Sequence, residues 1–313
     1  MKISRRIVFT VLGTLTLVLS PLIGVTQDNG SGSRLILVSG ATGTQGGAVA
    51  RALIERGFAV RGLTRNPDSE RARALSALGV EMVRGDFDDT ASLDAALAGT
   101  YGAYSVQQYR GIGVEAEIRQ SKAFADAAKR AGVRHFVYSS VLFAHLGTRV
   151  PQFDSKVDIE EYIQSIGLPY SFVRPASFMS NFEGVRESAQ AGVYRTPFPP
   201  DMARLHIAPG DIGRVVAEAF ANPEIWIGRD LNLAGQRISY ADIAATMGRV
   251  LGREVRYEQI PWEEYSATAT PMAVSREQWF MANPVPIDLD GLHREFPGLM
   301  TIEEYLISAG WGR

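Results

Sequence analysis

Residues 35–53 read LILVSGATGTQGGAVARAL. Leu35 to Val38 is a short apolar run, the pattern of a parallel strand buried on both faces. Gly40, Gly43 and Gly46 follow with G-x-x-G-x-x-G spacing, and an alanine-rich stretch of helical periodicity comes next. Each piece has a mechanical task. Gly40 permits a tight turn, Gly43 lets a pyrophosphate approach the backbone, and Gly46 lets the helix pack close to the strand. The free N–H groups at the helix start then face the phosphates. Strand, glycine turn and helix in this order predict a dinucleotide-binding unit. Thr42, Thr44 and Gln45 stand in the same loop and are candidate contacts to the ligand.

Downstream, strand and helix signals alternate. Ala59 to Leu63, Val80 to Val83, Ala103 to Val106, His135 to Tyr138 and Tyr170 to Val173 read as strands. Helices are expected at Asp68 to Leu78, capped by Asn66-Pro67-Asp68, and at Thr90 to Leu97. Two more follow at Val114 to Ala131 and Ser155 to Ile166, each closed by a glycine. Such alternation implies an α/β fold, a Rossmann doubly wound parallel sheet with helices on both faces. Beyond Pro175 the pattern changes. Arg195 to Pro200 reads as a loop, Asp211 to Phe220 and Tyr240 to Leu251 as helices, and Leu231 to Leu233 as a strand. Interleaved prolines and aromatics then run to Pro286. The expected division is a core over 35–175 and a small C-terminal substrate lobe over 176–313, within one domain, 35–313.

The preceding residues do not fit that fold. Lys2, Arg5 and Arg6 precede an apolar stretch from Ile7 to Leu19, and no acid occurs before Asp28. This is the layout of a secretory signal or of an N-terminal membrane anchor. Ser4-Arg5-Arg6 also resembles the start of a twin-arginine export signal. Residues 1–26 are therefore expected to be a signal peptide or an anchor, with membrane association through residues 7–25. Residues 27–34 read as a flexible linker. The expectation is a protein that is exported, periplasmic or extracytoplasmic, or fixed to the membrane.

Composition narrows the chemistry. The chain has 313 residues, no cysteine and a net charge of −2. Disulfides, thiolate metal sites and cysteine nucleophiles are excluded. Bulk electrostatics give no reason to expect a nucleic-acid partner. The four histidines, His135, His145, His206 and His293, are not spaced as metal ligands, and no metal is expected.

The second strand identifies the cofactor. An NAD site places an acid at its end to hold the ribose 2′-hydroxyl. Here the strand ends Leu63-Thr64-Arg65-Asn66-Pro67. A guanidinium pairs bidentately with a phosphate, so Arg65 argues for NADP, with NADPH preferred over NADH. Asp86 and Phe87, after the third strand, stand where adenine would lie. Asp86 can accept from the adenine amine or cap the helix near Thr90. Gln107, after the fourth strand, is expected on the nicotinamide side.

Together the segments GATGTQGGAVARAL, LTRNP, RGDFDD, HFVYSS, FDSKVDIEEYIQSIGLPYSFVRPASFMSNF, GDIGRVVAEAF and PGLMTIEEYL resemble the NmrA-like group of atypical short-chain dehydrogenases. That group includes NADP-binding redox sensors, small quinone reductases and plant reductases of aromatic ethers and isoflavonoids. The resemblance covers most of the chain after Arg34. One departure is chemical. Most short-chain dehydrogenases use a Tyr four residues before a Lys as proton donor. The lysines here are Lys2, Lys122, Lys129 and Lys156, and Gln152 stands four before Lys156. No Tyr-x-x-x-Lys exists. Many NmrA-like members carry His at that place, and it too is missing.

Lys156 is the candidate catalytic residue. Ser155 and Asp158 resemble a capping box, which would put Lys156 on a first helical turn. Ile159, Ile163 and Ile166 mark the buried face on which it leans. The resemblance to plant reductases implies a proton-relay role, and cofactor contact is a second role for the same side chain. Ser139 or Ser140 could position a carbonyl. Phe178 and Asn181 match the family's substrate-side segment, while His206 and Asp211 read as structural. The function implied is NADPH-dependent reduction of a small apolar or aromatic carbonyl, quinone or enone. The alternative is a non-catalytic NADP-binding redox sensor, or an assembly factor for a membrane complex.

Overall fold

The computed structural model describes residues 34–284 and 286–312. The expected signal or anchor segment, 1–26, lies outside the described residues. In chain order the first half runs β1 (Leu35–Val38), α1 (Thr44–Glu55), β2 (Ala59–Thr64), α2 (Glu70–Ser76), β3 (Glu81–Arg84), α3 (Thr90–Leu97), β4 (Gly102–Ser105), α4 (Val114–Arg130), β5 (His135–Ser139), α5 (Pro151–Ser165) and β6 (Tyr170–Pro175). The second half continues with β7 (Ser177–Phe178), α6 (Arg186–Gln190), β8 (Val193–Thr196), β9 (Ala203–Ile207), α7 (Pro209–Ala221), α8 (Pro223–Trp226) and β10 (Asp230–Leu233). It ends with β11 (Gln236–Ser239), α9 (Tyr240–Leu251), β12 (Arg256–Gln259), α10 (Trp262–Thr268), α11 (Pro271–Ala282), α12 (Leu289–Glu295) and α13 (Ile302–Ser308).

Seven strands pair in the order β10-β6-β5-β4-β1-β2-β3, every pair parallel. This is the doubly wound sheet expected from the alternation. Successive side chains of β1 point to opposite faces. Ile36 and Val38 join Val49 and Leu53 of α1 and Val216 and Phe220 of α7 on one side. Leu37 joins Leu93 of α3, Phe124 of α4 and Ile159 and Ile163 of α5 on the other. Each such side chain, fully buried, contributes about 1.5–3 kcal/mol. These two apolar layers clamp the sheet.

The chain beyond Pro175 is not confined to a lobe. β10 pairs with β6 as the edge of the main sheet, and α7 packs into the same layer as α1. What does stand apart is a third core of Met179, Phe182, Tyr240, Ile243, Met247, Ile302, Leu306 and Trp311. Two small sheets accompany it, β11-β9-β7 and β12-β8. Strand β8 takes Arg195 and Thr196 from the segment read as a loop, because β12 offers them a parallel partner.

Three helix starts differ from the sequence reading. Ser69, not the Asn66-Pro67-Asp68 turn, caps α2 by accepting from Ala72 N–H. Helix α5 begins at Pro151, four residues before the expected Ser155, with proline preorganising its first turn. The Ser155–Asp158 capping box is therefore absent, and Lys156 lies in the second turn. Helix α7 begins at Pro209, and Asp211 inside it accepts from Met300 N–H and from Arg214 rather than capping. Among the described residues no helix is long and apolar enough to cross a membrane.

Helix α7 approaches α1 at Gly213, where a Cβ would stand 2.5 Å from the Ala48 carbonyl oxygen. Backbone meets backbone there, so nothing flexible can yield. Gly213→Ala is expected to destabilise by about 1–3 kcal/mol, the usual scale of overpacking. A Cβ at Gly210, in the same helix, meets open space. Thermal unfolding of the two alanine variants checks this: a lower midpoint for Gly213→Ala and none for Gly210→Ala.

Candidate functional site

The carboxyl ends of β3, β2, β1, β4 and β5 follow one another across the sheet. Four interstrand spacings make this line about 19 Å long. At its centre is the glycine loop. Gly40 has φ +59 and a Cβ there would press on Val106, so glycine is required. Gly43 N–H donates to Gly40 O at 2.9 Å, which closes the turn. Gly43 is the N-cap of α1 and offers no side-chain cap. The first N–H groups of α1 are thus left for a ligand. At Gly46 a Cβ would lie 2.3 Å from Gly40 O, which shows how tightly α1 sits on its own loop. Ser39 locks the loop to β4: its hydroxyl accepts from Val106 N–H at 2.8 Å. Thr42 is half-buried and Thr44 exposed. Gln45 turns away from the loop opening and donates to Ser139 Oγ at 2.6 Å, tying α1 to the end of β5.

Toward β2 and β3, Arg65 is exposed, and no hydrogen bond or ion pair of its side chain is found among the described residues. A second guanidinium lies beside it, which the sequence reading missed. Arg84, the last residue of β3, donates to the Arg65 carbonyl at 3.1 Å. The parallel register pairs Arg84 with Thr64, so adjacency of two strand ends is the signal that finds it. Asp86 is exposed, its carboxylate accepting from Asp88 N–H. The residue that caps α3 is Asp89, which accepts from Ala91 and Ser92. The capping alternative for Asp86 is therefore corrected. Phe87 sits edge-on against Phe124 and belongs half to the core.

Toward β4 and β5, Gln107 is buried. Its Oε1 accepts from Ser105 at 3.1 Å and Ser121 at 2.9 Å, while its Nε2 is buried with no partner. Two amide hydrogens thus await an acceptor at this strand end. Lys156 is only 7% exposed, which rules out a surface lysine. Its Nζ donates to Gln107 O at 3.2 Å and lies 3.0 Å from Glu117 Oε1, an ion-pair contact off the axis of a straight hydrogen bond. The Tyr138 ring is 5.5 Å away. Glu117 Oε2 accepts from Ser155 Oγ at 2.9 Å. Glu117 shares the buried face of α4 with Ser121, Phe124, Ala125 and Ala128. A charge on an apolar stripe is a legible sign that this acid has an internal partner.

No other side chain here is an obvious acid. Tyr138 is held well above the ordinary phenol range by burial first, then by Glu117 and Glu160. Tyr104 is raised by burial as well. His206 is pushed down to about 3 by burial and then by Arg204, so it is neutral at physiological pH. Both of its ring nitrogens are buried without partners.

On the substrate side, Phe178 in β7 packs against the main core and Asn181 is exposed. The structure does not bring Asn181 to the cleft polar groups by any hydrogen bond. Helix α11, in the segment for which the sequence assigns no element, covers the start of α5 instead. Phe153 packs edge-on against Trp279 and Phe280. Gln152 Nε2 donates to Met272 O at 3.0 Å, and its Oε1 is buried without a partner. Arg204 stands 4.0 Å over Phe280 and pairs with buried Glu277 at 3.0 Å.

A doubly wound parallel sheet with a glycine loop at its switch point defines a dinucleotide-binding protein of the Rossmann class. The NmrA-like family model matches residues 32–306, and the chain belongs to that family. It is 30% identical over 270 residues to an NmrA-like family domain-containing oxidoreductase, FrzB, of Cladobotryum sp, covering 76% of this chain and 80% of the relative. It is 31% identical over 244 residues to the NAD(P)H azoreductase of Xenophilus azovorans, covering 77% and 82%. Among solved structures, NmrA, a negative transcriptional regulator in complex with NADP, superposes with a TM-score of 0.73 at 25% identity, over 88% of this chain and 94% of that one.

Gly43 is exposed, its φ of −87 suits any L residue, and a Cβ there would meet only Gly40 O, at 3.1 Å, so the turn need give by only a few tenths of an ångström. Gly43→Val should therefore fold. Its methyl groups would fill the space a pyrophosphate needs, so NADPH affinity should fall at least about tenfold, or 1.4 kcal/mol. Circular dichroism and fluorescence titration check the two halves of this expectation.

Proposed function

We propose that this chain is an NADPH-dependent reductase of a small apolar or aromatic carbonyl, quinone or enone. The observation that carries the reading is Lys156, a buried ammonium at the strand ends where the reactive half of a dinucleotide lies. The oxidoreductase and azoreductase relatives support reductase chemistry for the family.

The residues present fit such a cofactor. The open N–H groups of α1 and the bare Gly43 suit a pyrophosphate. Arg65, with Arg84 beside it, suits a 2′-phosphate. Asp86 and Phe87 flank the adenine side, and the unpartnered Gln107 Nε2 suits a carboxamide oxygen. When bound, the cofactor supplies the hydride. The protein orients it and sets a positive charge near the acceptor oxygen. Lys156 provides that charge, and α11 with Trp279 and Phe280 provides an apolar cover. A quinone suits this equipment, since its reduction asks little of an acid.

One observation favours a second reading, a non-catalytic NADP-binding sensor. Gln152, one turn before Lys156, cannot ionise, and its amide is spent on α11. For location, we propose that residues 1–26 export the chain or anchor it to a membrane, near a quinone pool.

Two measurements test these readings. Equilibrium titration should show NADPH binding more tightly than NADH, and Arg65→Ala should remove about ten- to hundredfold of that preference, or about 1.4–2.7 kcal/mol. Equal affinities in the parent would sink the cofactor assignment. Lys156→Met should lower quinone turnover by about 10²-fold or more, the scale of losing a group that stabilises a developing oxygen anion. A parent that binds NADPH but reduces no quinone or enone would instead support the sensor.

A further inference from the structure

Glu117 is 0% exposed, and an isolated buried carboxylate costs several kcal/mol. Its place in the first turn of α4 lowers that cost, because the helix dipole favours an anion there. A structural role alone does not explain it, since a buried ion pair can often be replaced by apolar residues without loss of stability. What Glu117 touches is specific: the hydroxyl of Ser155 at 2.9 Å and the ammonium of Lys156 at 3.0 Å.

We propose that Glu117 is a positioning residue that keeps Lys156 an ammonium and aims it, so that Lys156 serves the cleft as a fixed positive charge and not as the source of the proton. The inference rests on the reductase reading and deepens it. An ammonium has three N–H donors. One is given to Gln107 O, and the Glu117 carboxylate lies against the ammonium as an ion pair, which leaves donor capacity for a ligand oxygen. Were Lys156 to release its proton, Glu117 would keep only the Ser155 hydroxyl and become a buried anion without a counter-charge. Retaining the proton is therefore favoured.

The other groups around Lys156 do not supply a substitute charge. From β5, the Tyr138 ring faces it, and burial keeps that phenol neutral. On α5 itself, Glu160 is taken by Arg174 of β6 through two hydrogen bonds of 2.9 and 2.6 Å. Arg174 also pairs with Asp230 of β10. Glu117 of α4 is thus the anion that sets the state of Lys156.

The substrate class follows. Reduction of a carbonyl or quinone adds one hydride and one proton. The cofactor supplies the hydride, Lys156 stabilises the oxygen anion that forms, and water supplies the proton. Acceptors that yield a weakly basic oxygen anion, such as quinones and conjugated enones, are favoured over isolated ketones, whose alkoxides need an acid.

The test uses lysine labelled with 13C at Cε in the full chain. Only Lys2, Lys122, Lys129 and Lys156 contribute signals, and Lys156→Met assigns the one of interest. In Glu117→Gln, Lys156 should lose its proton at a lower pH than in the parent, because the adjacent opposite charge is gone. Quinone turnover should fall over the same pH range. Ser155→Ala, which keeps the carboxylate charge, should not move the titration. An identical lysine titration and turnover profile in parent and Glu117→Gln would overturn the proposal. If Glu117→Gln does not fold, Glu117→Asp replaces it, with a smaller shift in the same direction expected and no shift overturning. A parent with no turnover would defeat the reductase reading alone, since the lysine titration still decides whether Glu117 holds the ammonium.

Discussion

Helix α1 lies so close to its surroundings that backbone touches backbone on two sides. At Gly46 it presses on the carbonyl of Gly40, and at Ala48 it receives Gly213 of α7. Neither contact tolerates a Cβ. The first brings the open end of α1 over the strand end where phosphates are held. The second sets α7 in register with α1 and seals the apolar layer that contains Val49, Leu53, Val216 and Phe220. The phosphate loop and the core of one sheet face therefore share one geometric condition, which only glycine meets.

Charge organises the opposite face. Helix α5 is held to the sheet by Ile159 and Ile163, and by the bidentate Arg174–Glu160 pair at its middle. One turn earlier, Lys156 and Ser155 meet Glu117 of α4. Apolar burial supplies most of the free energy here, because ion pairs inside a protein recover little beyond their own desolvation. What the pairs supply is direction. They fix the rotation of α5 so that Lys156 and Gln152 point inward, with the Lys156 ammonium over the Tyr138 ring.

The features legible in the sequence are those written locally. The strand–glycine–helix unit, the alternating strands to Tyr170 and helix α9 all follow from period and punctuation over a few residues. The places of Arg65 and Gln107 in the fold were legible because each closely follows the end of a strand of the sheet. Features that depend on distant partners were not. Nothing near Leu231 says that its strand will pair with β6 as the seventh strand. Helix α11 was hidden because Pro271 reads as a breaker, although at a helix start it is favourable. The start of α5 was misplaced for the same reason at Pro151. Glu117 was passed over although its stripe on α4 was readable, and Arg84 needed the register of β2 with β3.

The late return of the chain to the sheet bears on how the protein is made. A ribosome that has delivered residue 175 has supplied six of the seven strands and none of the helix that covers α1 from outside. Val49 and Leu53 stay uncovered until α7 emerges some forty residues later. Contacts this distant in sequence are slow to form, since loop closure must precede them. The nascent sheet thus presents an apolar face and an unpaired edge at β6 while synthesis continues, the state in which chains associate wrongly or recruit chaperones. Completion of the fold is tied to the last third of the chain, and a product truncated before Pro209 would carry that exposed face permanently.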